Sequence, residues 1–243
     1  MKRLLILLFA AGLVAGCATT AAPPEERDPR DPWEPFNRSV YQFNRGVDRA
    51  MLRPVARGYD TVTPQPVQRG VGNFFTNLRS PVTIVNLLLQ GRPGDSGRAF
   101  ERFFVNTVFG VAGLFDVASA GGLERYNADF GQTMATWGWE SSRYLMLPFL
   151  GPSTVRDGFG RVADAPLNPE WYLALEQASY YLLALDIIQT RAALLPRDAD
   201  LEAAFDEYLF LRDAWLQRRE FLIHGDDAPL PDYDDFLDDD EDW

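Results

Sequence analysis

The chain has 243 residues, with 23 lysines and arginines against 35 aspartates and glutamates and a formal net charge of −12. That balance argues against nucleic acid as a partner, since phosphate-backbone binding needs clustered positive charge. One cysteine precludes an internal disulfide, and one histidine leaves no Cys/His cluster for zinc, so neither a metal nor another cofactor is expected.

From the N-terminus, Lys2 and Arg3 precede the apolar run LLILLFAAGL and the small-residue stretch LVAGC, the order of a secretory signal. LVAGC resembles a bacterial lipobox, which implies that residues 1–16 are removed and that Cys17 becomes an acylated first residue. Two or three acyl chains hold durably where one holds marginally. Ala18 rather than aspartate after the cysteine implies, by the same resemblance, sorting to the outer membrane. Residues 17–32 read as a lipidated tether and 33–225 as one folded body, with no internal repeat. Residues 226–243 form an acidic tail with ten carboxylates and no base, expected to repel itself and stay solvated. A calcium site is disfavoured there because the DxDxDG ligand spacing is missing.

Within the body, apolar periodicity predicts helices nearly throughout. Phe36, Val40, Phe43, Val47 and Met51 advance by four and three, as do Val67, Val71, Phe74 and Leu78. Ser80–Pro81 opens a helix that Gly91 closes; Asn168–Pro169 opens a long one reaching about Leu195; Asp198 opens a last one ending near Gly225. No period-two strand stands out, so the predicted class is all-α. The apolar segment WYLALEQASYYLLALDIIQTRAALL contains Glu176, Asp186 and Arg191, which argue against a membrane span.

The lone lysine is Lys2, so every basic side chain of the body is arginine. Arg45, Arg49, Arg53 and Arg57 recur every four residues across Pro54. If the helix persists past the proline they form a stripe suited to phosphate oxygens; the alternative, favoured on residues alone, is a solvated face paired with Asp48 and Asp60. Catalytic motifs are missing. There is no GxSxG elbow, GPST around Ser153 reads as a helix N-cap, and His224 sits where a cation suits a helix C-terminus. No enzyme is expected.

The segment from Phe103 to Gly122, FFVNTVFGVAGLFDVASAGG, is too apolar for a surface loop, yet four glycines, Asn106 and Asp116 interrupt it. Five blocks resemble, in order, the MlaA (VacJ) family: DPWEPFNRSVYQFN (31–44), RPVARGYDTVTPQPVQRGVGNFFTNLRSP (53–81), NLLLQGRP (86–93), RFFVNTVFGVAGLFDVA (102–118) and LPFLGPSTVRDGFGRVAD (147–164). The resemblance implies an outer-membrane lipoprotein, periplasmic side, that removes mislaid phospholipids from the outer leaflet. It further implies an all-α, ring-like arrangement of amphipathic helices embedded in one leaflet around a polar channel. The ring would stand beside a trimeric porin and pass lipid to a soluble periplasmic carrier (MlaC-like). In that setting Asn106 and Asp116 are expected to face polar backbone or the channel, Gly110 and Gly113 to permit a bend there, and Arg45, Arg49 and Arg53 to meet headgroups. Phe104, Val108, Phe109, Val111, Leu114 and Phe115 are expected to face lipid or the ring core, and a buried loop between core helices is the alternative. A non-conducting lipoprotein that scaffolds porins or envelope complexes is the other functional expectation.

Overall fold

A computed structural model describes residues 28–169, 172 and 179–225. The expected signal peptide, Cys17, most of the expected tether and the acidic tail lie outside the described residues, as do eight positions between 170 and 178 within the long helix expected from Asn168.

Helix α1 (Glu34–Val47) opens with a proline in its first turn and Glu34 at the positive end of its dipole. It runs without interruption through a π-helical turn (Asp48–Leu52) into α2 (Arg53–Val62). The backbone N–H of Arg53 donates to the Asp48 carbonyl, five residues back. This wide turn directly precedes Pro54, whose missing N–H and ring forbid the normal bond to residue 50. The helix therefore persists past the proline.

α3 (Gln65–Leu78), α4 (Ser80–Leu89) and α5 (Pro93–Val108) follow, then the short α6 (Val117–Ala120) and α7 (Phe130–Thr136). α4 has the ends that Ser80–Pro81 and Gly91 predicted. An antiparallel hairpin, β1 (Tyr144–Leu147) and β2 (Gly151–Thr154), leads into α8 (Val155–Asp164). The purely helical expectation missed this hairpin, and GPST is its second strand. The cap expected there is Thr154, whose side chain accepts from the Asp157 N–H at 3.1 Å. The last elements are α9 (Ser179–Leu194), α10 (Asp198–Ala203) and α11 (Glu207–His224). The single helix expected from Asp198 is broken where Ala204 turns extended, and Asp206 caps α11 by accepting from the N–H groups of Tyr208 and Leu209. α11 ends at His224, as expected.

Packing runs in a closed circuit: α2 against α9, α9 against α3, α3 on to α4, α4 against α7, α7 against α8, α8 against β2, and β1 against α1. Two small cores sit on it. One joins Val40, Tyr41, Tyr144, Met146, Tyr208 and Leu216; the other joins Leu87, Ala99 and Ala128. Exposed large apolar side chains outnumber buried apolar ones among the described residues. The apolar faces inferred from periodicity are accordingly only partly interior: Phe36, Met51 and Val67 are exposed, and α3 buries Phe75 and Asn77 instead. No described helix is long and apolar enough to cross a membrane. In α9, Asp186 pairs with Arg79 and Arg191 with Asp48 at 2.6 Å.

Candidate functional site

The segment from Phe103 to Gly122 is built from a helix end, a left-handed loop and a capped turn. α5 stops at Val108, after which Val111, Ala112 and Gly113 all take positive φ (53°, 55° and 92°). Left-handed conformation at two residues with a Cβ is costly. Loop hydrogen bonds hold it: Gly113 N–H to the Asn106 carbonyl and Phe115 N–H to the Gly110 carbonyl, both 2.8 Å. The two glycines are where the loop meets its neighbours. A methyl on Gly110 would lie 2.2 Å from the Phe115 carbonyl oxygen, and one on Gly113 would lie 2.4 Å from Asn77 Cβ.

Beneath the loop lies a polar cluster centred on Asp116. One carboxylate oxygen accepts from Arg102 Nη2 at 2.6 Å, Asn106 Nδ2 at 3.1 Å and the Ser119 N–H at 3.2 Å. The other accepts from Ser119 Oγ at 2.7 Å and from Arg125. Burial works against ionising Asp116, but the hydrogen bonds from Arg125, Ser119 and Asn106 outweigh it, so its pKa lies well below the usual carboxylate range. Asn106 is buried, and its Oδ1 accepts from the Ala118 N–H at 2.9 Å. Asn106 and Asp116 thus meet in one cluster, a pairing the sequence did not state. The residues it did not single out are Arg102, Arg125 and, on α3, Asn73 and Asn77.

These groups line a small pocket of about 20 Å³, room for roughly one water molecule. Outside the cluster, Phe104, Val108, Phe109, Val111, Leu114 and Phe115 are all exposed, from 39 % to 66 %. An apolar rim and a small polar pocket with two arginines on one carboxylate therefore meet at this loop.

The matching family model spans residues 29–222 and is described as MlaA lipoprotein. The chain belongs to the MlaA family. It is 37 % identical over 227 residues to the intermembrane phospholipid transport system lipoprotein MlaA of Shigella flexneri, covering 92 % of this chain and 89 % of that one. The protein of the same name from Haemophilus influenzae is 32 % identical, with coverages of 92 % and 91 %. A solved structure described by the words "Structural basis for maintenance of bacterial outer membrane lipid asymmetry" superposes with a TM-score of 0.71 at 37 % identity, over 81 % of this chain and all of that one.

The first MlaA-like block, residues 31–44, has a structural job that its sequence does not announce. Asn37 Oδ1 accepts from the Met146 N–H at 2.8 Å, and its Nδ2 donates to Asp31 at 2.7 Å. Asn44 accepts from the Phe149 N–H at 2.8 Å and donates to the Leu147 carbonyl at 2.9 Å. Two asparagines of α1 thus fasten the hairpin, and fully buried Asp31 accepts from Tyr208 of α11.

The arginine series on the α1–α2 helix faces other helices of the MlaA fold. Arg45 is buried, with Nε 3.0 Å from Glu207; Arg49 is exposed and reaches the same carboxylate at 3.2 Å. Arg53 pairs with Asp198 at 2.9 Å and Glu202 at 2.6 Å. The partners come from α10 and α11 rather than from Asp60, and Asp48 is taken chiefly by Arg191. Arg45 and Arg53 thus form a bridge that ties the long N-terminal helix to the last two, with Arg45 also 3.9 Å from Asp48, while Arg49 and Arg57 stay exposed as a solvated face requires.

Proposed function

We propose that this MlaA-family protein is an outer-membrane lipoprotein, anchored at Cys17, that removes mislocalised phospholipid from the outer leaflet. It hands the lipid to a soluble periplasmic carrier while standing beside a trimeric porin. The observation that carries the proposal is the shared loop: the exposed apolar side chains from Phe104 to Phe115 back directly onto the Asp116–Arg102–Arg125 cluster. A phospholipid has the same division, and moving its charged headgroup through hydrocarbon is expensive.

In this reading the helical circuit lies in the inner leaflet, with the exposed apolar residues against acyl chains. Half a bilayer is about 15 Å deep, so no spanning helix is needed. The headgroup passes on the polar side while the tails stay on the apolar one. At roughly one water in volume, the Asp116 pocket is too small for a headgroup. Passage then requires the loop around Gly110 and Gly113 to shift. No bond is made or broken, and direction comes from the partners.

The test is reconstitution with a porin in asymmetric proteoliposomes, following a labelled outer-leaflet phospholipid. Transfer to a periplasmic carrier is expected, and Asp116→Ala should slow it. Porin binding with no lipid transfer would instead support a non-conducting scaffold.

A further inference from the structure

A second cleft, of about 260 Å³, lies away from the Asp116 cluster between α7, α8 and α11. Trp215, Arg218, Arg219 and Leu222 of α11 line it at helical spacing i, i+3, i+4 and i+7, one face of the helix. Opposite stand Asp129, Asp157, Arg161 and Asp164.

Its charges do not cancel in place. Arg219 donates through its two Nη atoms to both oxygens of Asp129 at 2.6 Å and to Asp157 at 2.7 Å, while its buried Nε and the Asp157 Oδ2 have no hydrogen-bond partner among the described residues. Asp164 is satisfied by neutral donors, Asn86 Nδ2 at 2.8 Å and the Phe130 N–H at 2.9 Å. Arg161 donates to a neutral acceptor, the Pro152 carbonyl, at 3.1 Å. Neither Arg161 nor Arg218 has a carboxylate within 4.0 Å among the described residues. Although Arg161 counts as an exposed residue, desolvation in the cleft holds its pKa below the usual arginine value. Two guanidiniums beside Trp215 and Leu222 thus hold no carboxylate at ion-pair distance, although Asp157 and Asp129 stand near enough to act on Arg161, and such a surface suits carboxylates interspersed with apolar groups.

The chain supplies such a partner next door. Gly225, at φ 63°, turns the backbone out of α11 three residues beyond Leu222. Beyond it runs DDAPLPDYDDFLDDDEDW, ten acids without a base, interleaved with Leu230, Tyr233, Phe236 and Leu237. From Gly225 back to Arg218 is roughly 10 Å along the helix, at about 1.5 Å per residue. Some three extended residues cover that distance, so the acids from Asp232 onward reach both guanidiniums. Tethering also presents the segment at an effective concentration of order millimolar.

We propose that the Arg161–Arg218 cleft is the docking surface for the chain's own acidic C-terminal segment, held by carboxylate–guanidinium pairs with its apolar residues against Trp215. The tail is then a tethered, displaceable ligand instead of a free brush. It shields the cleft until a competing anion or salt releases it.

The test uses the full chain in detergent with a nitroxide on Phe236→Cys, read by electron paramagnetic resonance. At low salt the spectrum should contain an immobilised component. That component should fall about fivefold in Arg161→Gln/Arg218→Gln, the sum expected of two partly exposed ion pairs, and likewise on raising salt. Arg161→Lys/Arg218→Lys should retain most of it. Should loss of the Pro152 hydrogen bond impair folding, Arg218→Gln alone carries the test, with about a twofold fall expected. A single mobile component in the parent at low salt would overturn the proposal. So would an immobilised component indifferent to the Gln substitutions, or one that forms only when phospholipid vesicles are added, which would assign the cleft to headgroups.

Discussion

Replacing Gly113 with alanine tests whether the loop over the Asp116 cluster is held by close packing. The new methyl would sit 2.4 Å from Asn77 Cβ and 2.7 Å from its Cγ, on a backbone at φ 92°. The left-handed conformation costs an alanine about 1–2 kcal/mol, and forcing a methyl into a filled site adds about 1–3 kcal/mol. For a body of this size the sum, about 2–5 kcal/mol, lowers the melting midpoint by roughly 5–15 °C. Two controls separate the terms. Gly122 has φ 79° with nothing within 4 Å of an added Cβ, so Gly122→Ala incurs only the conformational cost and falls by about 2–6 °C. Gly97, inside α5 with open space around it, should be stabilised by up to about 1 kcal/mol. Thermal melting in detergent should therefore rank Gly97→Ala above the parent, then Gly122→Ala, then Gly113→Ala. If Gly113→Ala melted alongside Gly122→Ala, the contact with Asn77 would have slack, and tight packing of this loop would be refuted.

Asp116→Asn should cost about 1–3 kcal/mol near neutral pH by leaving Arg102 and Arg125 without their shared carboxylate. Because the folded pKa of Asp116 is lowered, its stabilisation is complete above the unfolded value and is lost as pH falls through the folded one. The difference in unfolding midpoint between parent and variant should thus hold from about pH 7 to 5 and shrink below about pH 4; a gap that widens on acidification would contradict this. Arg45→Gln should destabilise by about 1–3 kcal/mol in chemical denaturation, since a buried guanidinium and its bridge to Glu207 are lost. Arg49→Gln, exposed, should stay within about 0.5 kcal/mol of the parent, and equal effects would argue against the difference in burial. Cys17→Ala should abolish incorporation of radiolabelled palmitate and release the protein from the membrane fraction; equal labelling of variant and parent would sink the anchor assignment.

Local chemistry was legible in the chain itself. Pro81 and Gly91 bounded α4, and Gly225 ended α11, because proline and glycine act on backbone within one turn of themselves. Asn106 and Asp116, ten residues apart, also announced a polar break in an apolar run. Family membership was readable because five ordered blocks carry it. The hairpin was not: YLML and GPST are four residues each, and Asn37, Asn44 and the Arg30 carbonyl, more than a hundred residues earlier, fasten them. The arginine series looked like one stripe because spacing reports a face and says nothing of what packs on it. Only the fold brought Glu202 and Glu207 to Arg45 and Arg53, and turned Arg102 and Arg125 onto one carboxylate. Glycine's freedom at position 113 was written in the sequence, but the Asn77 side chain that fills the space beside it comes from another helix. Pairings between distant segments depend on how the circuit of helices closes, which no local pattern encodes.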